Sequence, residues 1–258
     1  MRDADRPIGI FDSGVGGISV LSQVRALLPA EHLLYYGDNA WAPYGTRSPE
    51  QVLERTWAVT RHLLESGAKA LLIACNTATS VAAPSLREAL AMPVVGMEPA
   101  LKAASAYRHG GSVLVLATPV TLALPKFAAL RARYGEGAVP LPCAGLMEFA
   151  ERGELTGGAL YAHLAALLGE WPRRAVDAVV LGCTHYIYLR PVIASFFAPG
   201  TPIVDGNLGT ARQLARLLEE RALLCGEERQ GTVTLETSGA QERVLPVMRR
   251  LLAVGVPE

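Results

Sequence analysis

The sequence has no long hydrophobic run, no block of like charge and no Cys-x-x-Cys pair, and each absence removes a class of protein. No apolar stretch approaches the roughly 18–20 residues that span a bilayer, so no membrane-embedded helix is expected. The 258 residues carry 24 Lys+Arg against 24 Asp+Glu, a formal net charge of zero with both signs dispersed. That balance argues against a nucleic-acid surface or an anionic-membrane patch. The four cysteines, Cys75, Cys143, Cys183 and Cys225, stand too far apart for a structural zinc site or a secreted disulfide framework. Met1 to Pro7 is polar and leads straight into a strand without the apolar core of a signal peptide, so a cytosolic protein is expected. The turn Gly14-Val15-Gly16-Gly17 reads G-x-G-G, with neither the fuller dinucleotide fingerprint nor a Walker Lys-Ser/Thr, so nucleotide binding is not expected.

What is present is a run of short aliphatic strands alternating with helical spacing, the pattern of an α/β fold with mainly parallel sheets and helices on both faces. Ile8–Phe11 is a buried strand, and Ile18 to Leu28 has helical spacing. Leu33–Tyr36 is the next strand, and Ser48-Pro49-Glu50-Gln51 opens a helix with a capping box that runs to about Gly67. Helices are predicted near Ser80–Leu90, Ala100–Tyr107, from the Thr118-Pro119-Val120-Thr121 turn to about Tyr134, and at Gly145–Arg152, Gly157–Leu168 and Leu208–Leu224. Strands are predicted at Val94–Gly96, Ser112–Ala117, Pro202–Asp205 and Thr232–Thr237, with a weak edge strand at Val139–Leu141. Ser238-Gly239-Ala240-Gln241 repeats the capping-box pattern before a last helix.

Two stretches share one grammar: Leu71-Leu72-Ile73-Ala74-Cys75-Asn76-Thr77 and Val179-Val180-Leu181-Gly182-Cys183-Thr184-His185. Each is an aliphatic run ending in a cysteine among small hydrogen-bonding residues, a buried strand that delivers the thiol to its carboxyl end, where open α/β sheets place ligands. The spacing repeats as well, with 63 residues from Asp12 to Cys75 and 65 from Thr118 to Cys183. Two similar lobes with a cleft between them are expected, the first formed by residues 1–97 plus a returning tail, 210–258, and the second by residues 98–209.

A single cysteine of this kind reads as a small buried hydrophobe. Two in matched contexts suit a reaction that removes a proton from one face of a carbon and delivers another to the opposite face. Such thiols need help to ionise or to shed the proton. Asp12, at the end of the first strand, and His185, two residues from Cys183, are the candidate helpers. Asp12 also fits an Asx-turn, and Glu151 a solvent-facing helix carboxylate. Cys143 and Cys225 lack polar companions and read as inert.

Asp12-Ser13-Gly14-Val15-Gly16-Gly17, Gly37-Asp38, Pro43-Tyr44-Gly45-Thr46-Arg47-Ser48-Pro49-Glu50, Cys75-Asn76-Thr77-Ala78 and Gly182-Cys183-Thr184-His185 together resemble the glutamate racemases of the aspartate/glutamate racemase family. The resemblance implies a two-domain α/β enzyme that interconverts L- and D-glutamate without metal or pyridoxal cofactor, supplies peptidoglycan synthesis and forms a homodimer, with no nucleic-acid or membrane partner. It implies that Cys75 and Cys183 are the acid/bases, with Cys183 serving L-glutamate and Cys75 D-glutamate. Asp12 stands near the first thiol, and Glu151 and His185 near the second. Ser13, Asn76, Thr77, Thr121 and Thr184 match substrate binders, and Tyr44 and Gly45 the loop that receives substrate. The chain departs from the usual family pattern at Asn39 and Trp41, at Leu124–Phe127 and at Tyr186–Tyr188.

Overall fold

A computed structural model describes residues 3–171, 174–226 and 230–255. Met1 and Arg2, at the start of the segment read for a signal peptide, lie outside the described residues, as do 256–258 at the end of the tail.

The strands are β1 (Ile8–Asp12), β2 (Leu33–Gly37), β3 (Ala70–Ile73), β4 (Val94–Gly96), β5 (Ser112–Ala117), β6 (Ala138–Pro142), β7 (Val176–Leu181), β8 (Ile203–Val204) and β9 (Val233–Thr237). They form two sheets, ordered β4-β3-β1-β2-β9 and β6-β5-β7-β8, with every pairing parallel. Reversing the second order to β8-β7-β5-β6 superposes it on β4-β3-β1-β2, so the repeated spacing in the sequence reflects repeated topology. The first sheet adds β9, which pairs along β2 from Leu33↔Val233 to Gly37↔Thr237.

Both faces of each sheet are buried, which is why the strands read as continuous aliphatic runs. Ile8, Ile10, Tyr35 and Leu72 face α1 (Ile18–Leu27), α10 (Asn207–Glu220) and α11 (Gln241–Val254). Phe11, Leu34, Leu71 and Ile73 face α2 (Pro49–Glu65) and α3 (Asn76–Ala89). In the second sheet Leu114, Leu116, Val179 and Leu181 pack under α7 (Met147–Glu151), α8 (Gly158–Leu168) and α9 (Arg190–Ala194), while Val113, Val115 and Val180 pack on α4 (Leu101–Ala104) and α6 (Pro125–Tyr134). Edge strand β6 carries Pro140 and Pro142, tolerated where one side of the ladder is free. Among the described residues no helix is long and apolar enough to cross a membrane.

Local signals decide where helices start and stop. At α2 both bonds of the capping box form: the Ser48 hydroxyl accepts from Gln51 N–H at 3.3 Å and the Gln51 amide accepts from Ser48 N–H at 3.2 Å. Ser238 makes no such cap. Helix α11 begins only at Gln241, its N-cap is Ala240, and Ser238 instead accepts from Ala40 N–H at 3.1 Å. The single helix expected after Thr118 is two, because Pro125 forces Leu124 into an extended conformation between α5 (Pro119–Ala123) and α6. The stretch Ala100–Tyr107 is only α4 and a 3₁₀ turn over Ser105–Tyr107. Helix α10 ends four residues early, where Ala222 adopts φ of 52° and Leu223 N–H closes the turn on Leu218 C=O. The most consequential difference is α3, which begins at Asn76 rather than near Ser80. Asn and Thr favour a first helical turn, where free N–H groups and side chains complement each other.

Candidate active site

The carboxyl ends of β1, β3, β5 and β7 meet in one cleft of about 290 Å³ of unfilled space, its mouth included. Ser13, Tyr44, Gly45, Cys75, Asn76 and Thr77 of the first lobe line it, opposite Thr121, Cys183, Thr184 and His185 of the second. Asp12 and Glu151 stand one layer behind. Thr118, Met147 and Gly182 also line the cleft and were not singled out as site residues from the sequence. For Thr118 a signal existed, since it directly follows β5 and stands 65 residues before Cys183, much as Asp12 ends β1 63 residues before Cys75.

Cys75 is the N-cap of α3, its Sγ 3.5 Å from Ala78 N–H. Burial, and then the nearby Asp12 carboxylate, push its thiol up to about 12, against the Ala78 N–H and the Ser13 hydroxyl. The same helix start aims Asn76 and Thr77 at the cleft. Among the described residues no donor reaches the buried Asn76 Oδ1, an acceptor on the wall of the cleft. Thr77 Oγ1 lies 3.0 Å from Thr121 Oγ1, which also accepts from Thr118 at 2.9 Å, so three hydroxyls join the lobes.

Cys183 has different company. Its Sγ is 3.6 Å from His185 Nδ1, and His185 Nε2 is 2.6 Å from Glu151 Oε1. The short contact to a carboxylate that only accepts makes Nε2 the protonated nitrogen, donating to Glu151, although Gly16 N–H also lies 3.2 Å from it, and leaves Nδ1 facing the thiol. Burial disfavours a charged imidazole, but the bonds to Cys183 and Glu151 outweigh it and hold His185 well above its ordinary range. Burial likewise opposes ionisation of Glu151, yet His185, Val15 N–H and Asn39 keep its carboxyl below the usual value. Glu151 is therefore no solvent-facing carboxylate. It reaches from α7 across to the first lobe, accepting from Val15 N–H at 2.7 Å and Asn39 Nδ2 at 2.8 Å.

Asp12 is fully buried and accepts from Gly14 N–H at 2.9 Å and, across the cleft, from Thr184 Oγ1 at 3.0 Å. Burial raises its pKa, partly offset by His185. The glycine turn exists for this crossing. A Cβ on Gly14 would stand 1.8 Å from Glu151 Oε1, and one on Gly16 would stand 2.4 Å from His185 Nδ1. Tyr44 donates to Asp38 at 2.6 Å, and Arg55 holds that carboxylate with two bonds, fixing the loop that brings Tyr44 and Gly45 to the cleft. The guanidinium groups of Arg47 and Arg55 lie 5.0 and 4.6 Å from the centroid of the Trp41 ring. Cys143 and Cys225 lie outside the cleft; burial pushes the Cys143 thiol up to about 12. No group of three or more His, Cys, Asp or Glu side chains among the described residues is arranged to hold a metal ion.

A profile of the Asp/Glu/hydantoin racemase family matches residues 12–214. A glutamate racemase of Bifidobacterium animalis subsp. lactis is 46% identical over 251 residues, 95% of this chain and 97% of its own. Among solved structures, a glutamate racemase from Thermus thermophilus in complex with β-chloro-D-alanine is 36% identical with a TM-score of 0.83, covering 96% of this chain and 94% of that one. The Escherichia coli glutamate racemase, in complex with L-glutamate and the activator UDP-MurNAc-Ala, is 34% identical with a TM-score of 0.83, covering 95% of each chain. The profile takes in Asp12, Cys75, Glu151, Cys183 and His185, the residues that the fold gathers around one cleft, and with these full-length relatives it shows that the chain belongs to the Asp/Glu/hydantoin racemase family.

Proposed function

We propose that this protein interconverts L- and D-glutamate, with Cys183 and Cys75 as the two proton-transfer groups. The observation that carries the reading is the pair of thiols lining one cleft from opposite lobes, Cys75 near Asp12 and Cys183 beside His185. Relatives named as glutamate racemases, one of them bound to L-glutamate, support the substrate. In the L-to-D direction the Cys183 thiolate takes the Cα proton of L-glutamate, and its own S–H bond forms as the C–H bond breaks. The carbanion so formed takes the Cys75 proton on its other face, leaving D-glutamate and a Cys75 thiolate. The reverse direction exchanges the roles.

His185, held by Glu151, stabilises the Cys183 thiolate as an imidazolium. Ser13, Asn76, Thr77, Thr121 and Thr184 bind the substrate's charged groups, with Tyr44 and Gly45 at its entry. The thiol pair supplies both proton transfers, so no metal or pyridoxal cofactor takes part. The same reading makes the protein a cytoplasmic homodimer serving peptidoglycan synthesis. It divides the chain into 1–97 plus 210–258 and 98–209, a division supported by β9 pairing on β2 and by α10 and α11 packing on the same sheet. Purified protein without added cofactor should wash solvent deuterium into Cα of glutamate while inverting it. Faster turnover of L-aspartate than of L-glutamate sinks the substrate assignment, and no exchange on either sinks the reaction.

A further inference from the structure

The Cys183 half does not end at Glu151. Glu151 Oε1 serves His185 and Val15, whereas Oε2 accepts from Asn39 Nδ2 at 2.8 Å. Asn39 in turn accepts through Oδ1 from Thr237 Oγ1 at 2.8 Å, and Thr237 Oγ1 accepts from Gly239 N–H at 3.0 Å. The Glu151 carboxylate sets that direction. An ionised carboxylate only accepts, so it takes the Asn39 NH₂, which leaves Asn39 Oδ1 to accept from the Thr237 hydroxyl while that hydroxyl accepts from Gly239 N–H. Room for Asn39 is built in: a Cβ on Gly37 would stand 2.6 Å from its Oδ1, and one on Gly239 would stand 3.0 Å from its Cβ.

We infer that Asn39 and Thr237 are positioning residues that hold Glu151 Oε2 so that Oε1 stays on His185, tying the tail strand β9 to the Cys183 thiol through Thr237, Asn39, Glu151 and His185. The inference rests on the proposed two-thiol reaction for its kinetic consequence and on geometry alone for its structural one. Asn39 and Thr237 lie in the first lobe and Glu151 in the second, so the chain is complete only while the cleft is closed. Without the Asn39 donor, Oε2 is left largely buried and unpaired, and the carboxylate, a fifth exposed at its side chain, turns toward water and away from His185. The charged and titratable groups around His185 are Cys183 on its own segment, Glu151 from α7 and Asp12 at the end of β1, with Tyr35, Tyr188 and Cys75 also within electrostatic range of Asp12.

The test is ¹⁵N-histidine NMR on the full-length protein without substrate, beside steady-state kinetics. Asn39→Ala should move the His185 titration to lower pH and reduce kcat about tenfold, with KM for glutamate changing less than about twofold, as expected for a lost hydrogen bond to a charged group. Thr237→Val, nearly isosteric, should act in the same direction and less strongly. Asn39→Asp keeps the shape but sets a carboxylate against Glu151, so its kcat should fall further as pH rises through the carboxyl range. An unmoved or raised His185 titration overturns the inference, as does a change confined to KM. If Asn39→Ala does not fold, Thr237→Val and Asn39→Asp decide by the same readouts. A normal His185 shift in a protein that racemises nothing would remove the proposed reaction and leave the positioning chain standing.

Discussion

Cys75 and Cys183 leave equivalent strands of two sheets with the same strand order, yet they sit in opposite electrostatic surroundings. Cys75 caps a 14-residue helix, has a weak N–H donor, and faces Asp12, so its proton is held tightly. Cys183 is followed by a 3₁₀ run, Thr184–Leu189, which turns His185 back onto the sulfur and lets Glu151 grip the far side of the ring. The duplicated scaffold supplies two strand ends at one cleft, and the segment after each cysteine decides what kind of acid or base it becomes. Burial and Asp12 hold the proton on Cys75, whereas the Cys183 sulfur faces an imidazole gripped by Glu151. The two enantiomers are isoenergetic in water, so this asymmetry cannot favour either product. It can only show in the separate half-reactions.

Separating those halves gives the largest expected effects. Cys75→Ser and Cys183→Ser should each lower racemisation by about 10³-fold or more, since general acid–base groups contribute about 10²–10⁴-fold. They should differ in what survives. Cys75→Ser still lets Cys183 exchange the Cα proton of L-glutamate with solvent, with retention, while Cys183→Ser leaves such exchange on D-glutamate. Proton NMR in heavy water distinguishes them, and exchange of the same enantiomer in both variants would break the assignment of faces.

Glycines on the two sides offer a milder probe. Gly14→Ala drives a methyl into Glu151 Oε1, which cannot move without releasing Val15 and His185, so kcat should fall about 10²-fold with the fold retained. Gly45→Ala meets Thr118 first, at 3.0 Å from its Cβ, where small shifts suffice, and should cost less than about tenfold. Equal losses would mean that both glycines act through cleft closure rather than through the Cys183 chain.

Much of this was legible in the chain. Both cysteine strands, the edge strand around Pro140 and the capping box at Ser48 follow from patterns whose causes are local: burial on two faces, a missing N–H, and a side chain three residues from its partner. The family resemblance supplied Glu151, which local pattern alone left as a surface carboxylate. The misreadings have a common origin in tertiary context. Ser238 looks like a second cap, but its hydroxyl is used by Ala40 from another loop. In sequence the glycine turn tells only of the nucleotide fingerprint it lacks, and the assembled cleft shows that it admits side chains from the other lobe. Asn39 stood out as a departure from the family pattern, but its partners lie 112 and 198 residues away in sequence.

The smallest expected effect tests whether Asp12 transfers protons or only sets the charge around Cys75. As an anion it raises the Cys75 pKa, second only to burial. Asp12→Asn keeps an oxygen for Gly14 N–H and removes the charge, and Thr184 can turn its hydroxyl to accept from the new amide. A neutral neighbour makes the Cys75 thiolate easier to form, so the thiol's pKa falls from about 12. Protonation of the carbanion in the L-to-D direction needs Cys75 as the thiol, and activity is lost as pH rises through its pKa. The alkaline limb of kcat/KM should therefore move to lower pH in Asp12→Asn, with the plateau reduced by less than about tenfold. A loss of about 10²-fold with an unmoved limb would instead place Asp12 in the proton transfer itself. Cys75 would then have a carboxylate partner comparable to His185, and the contrast between the two halves would narrow to which group each thiol uses.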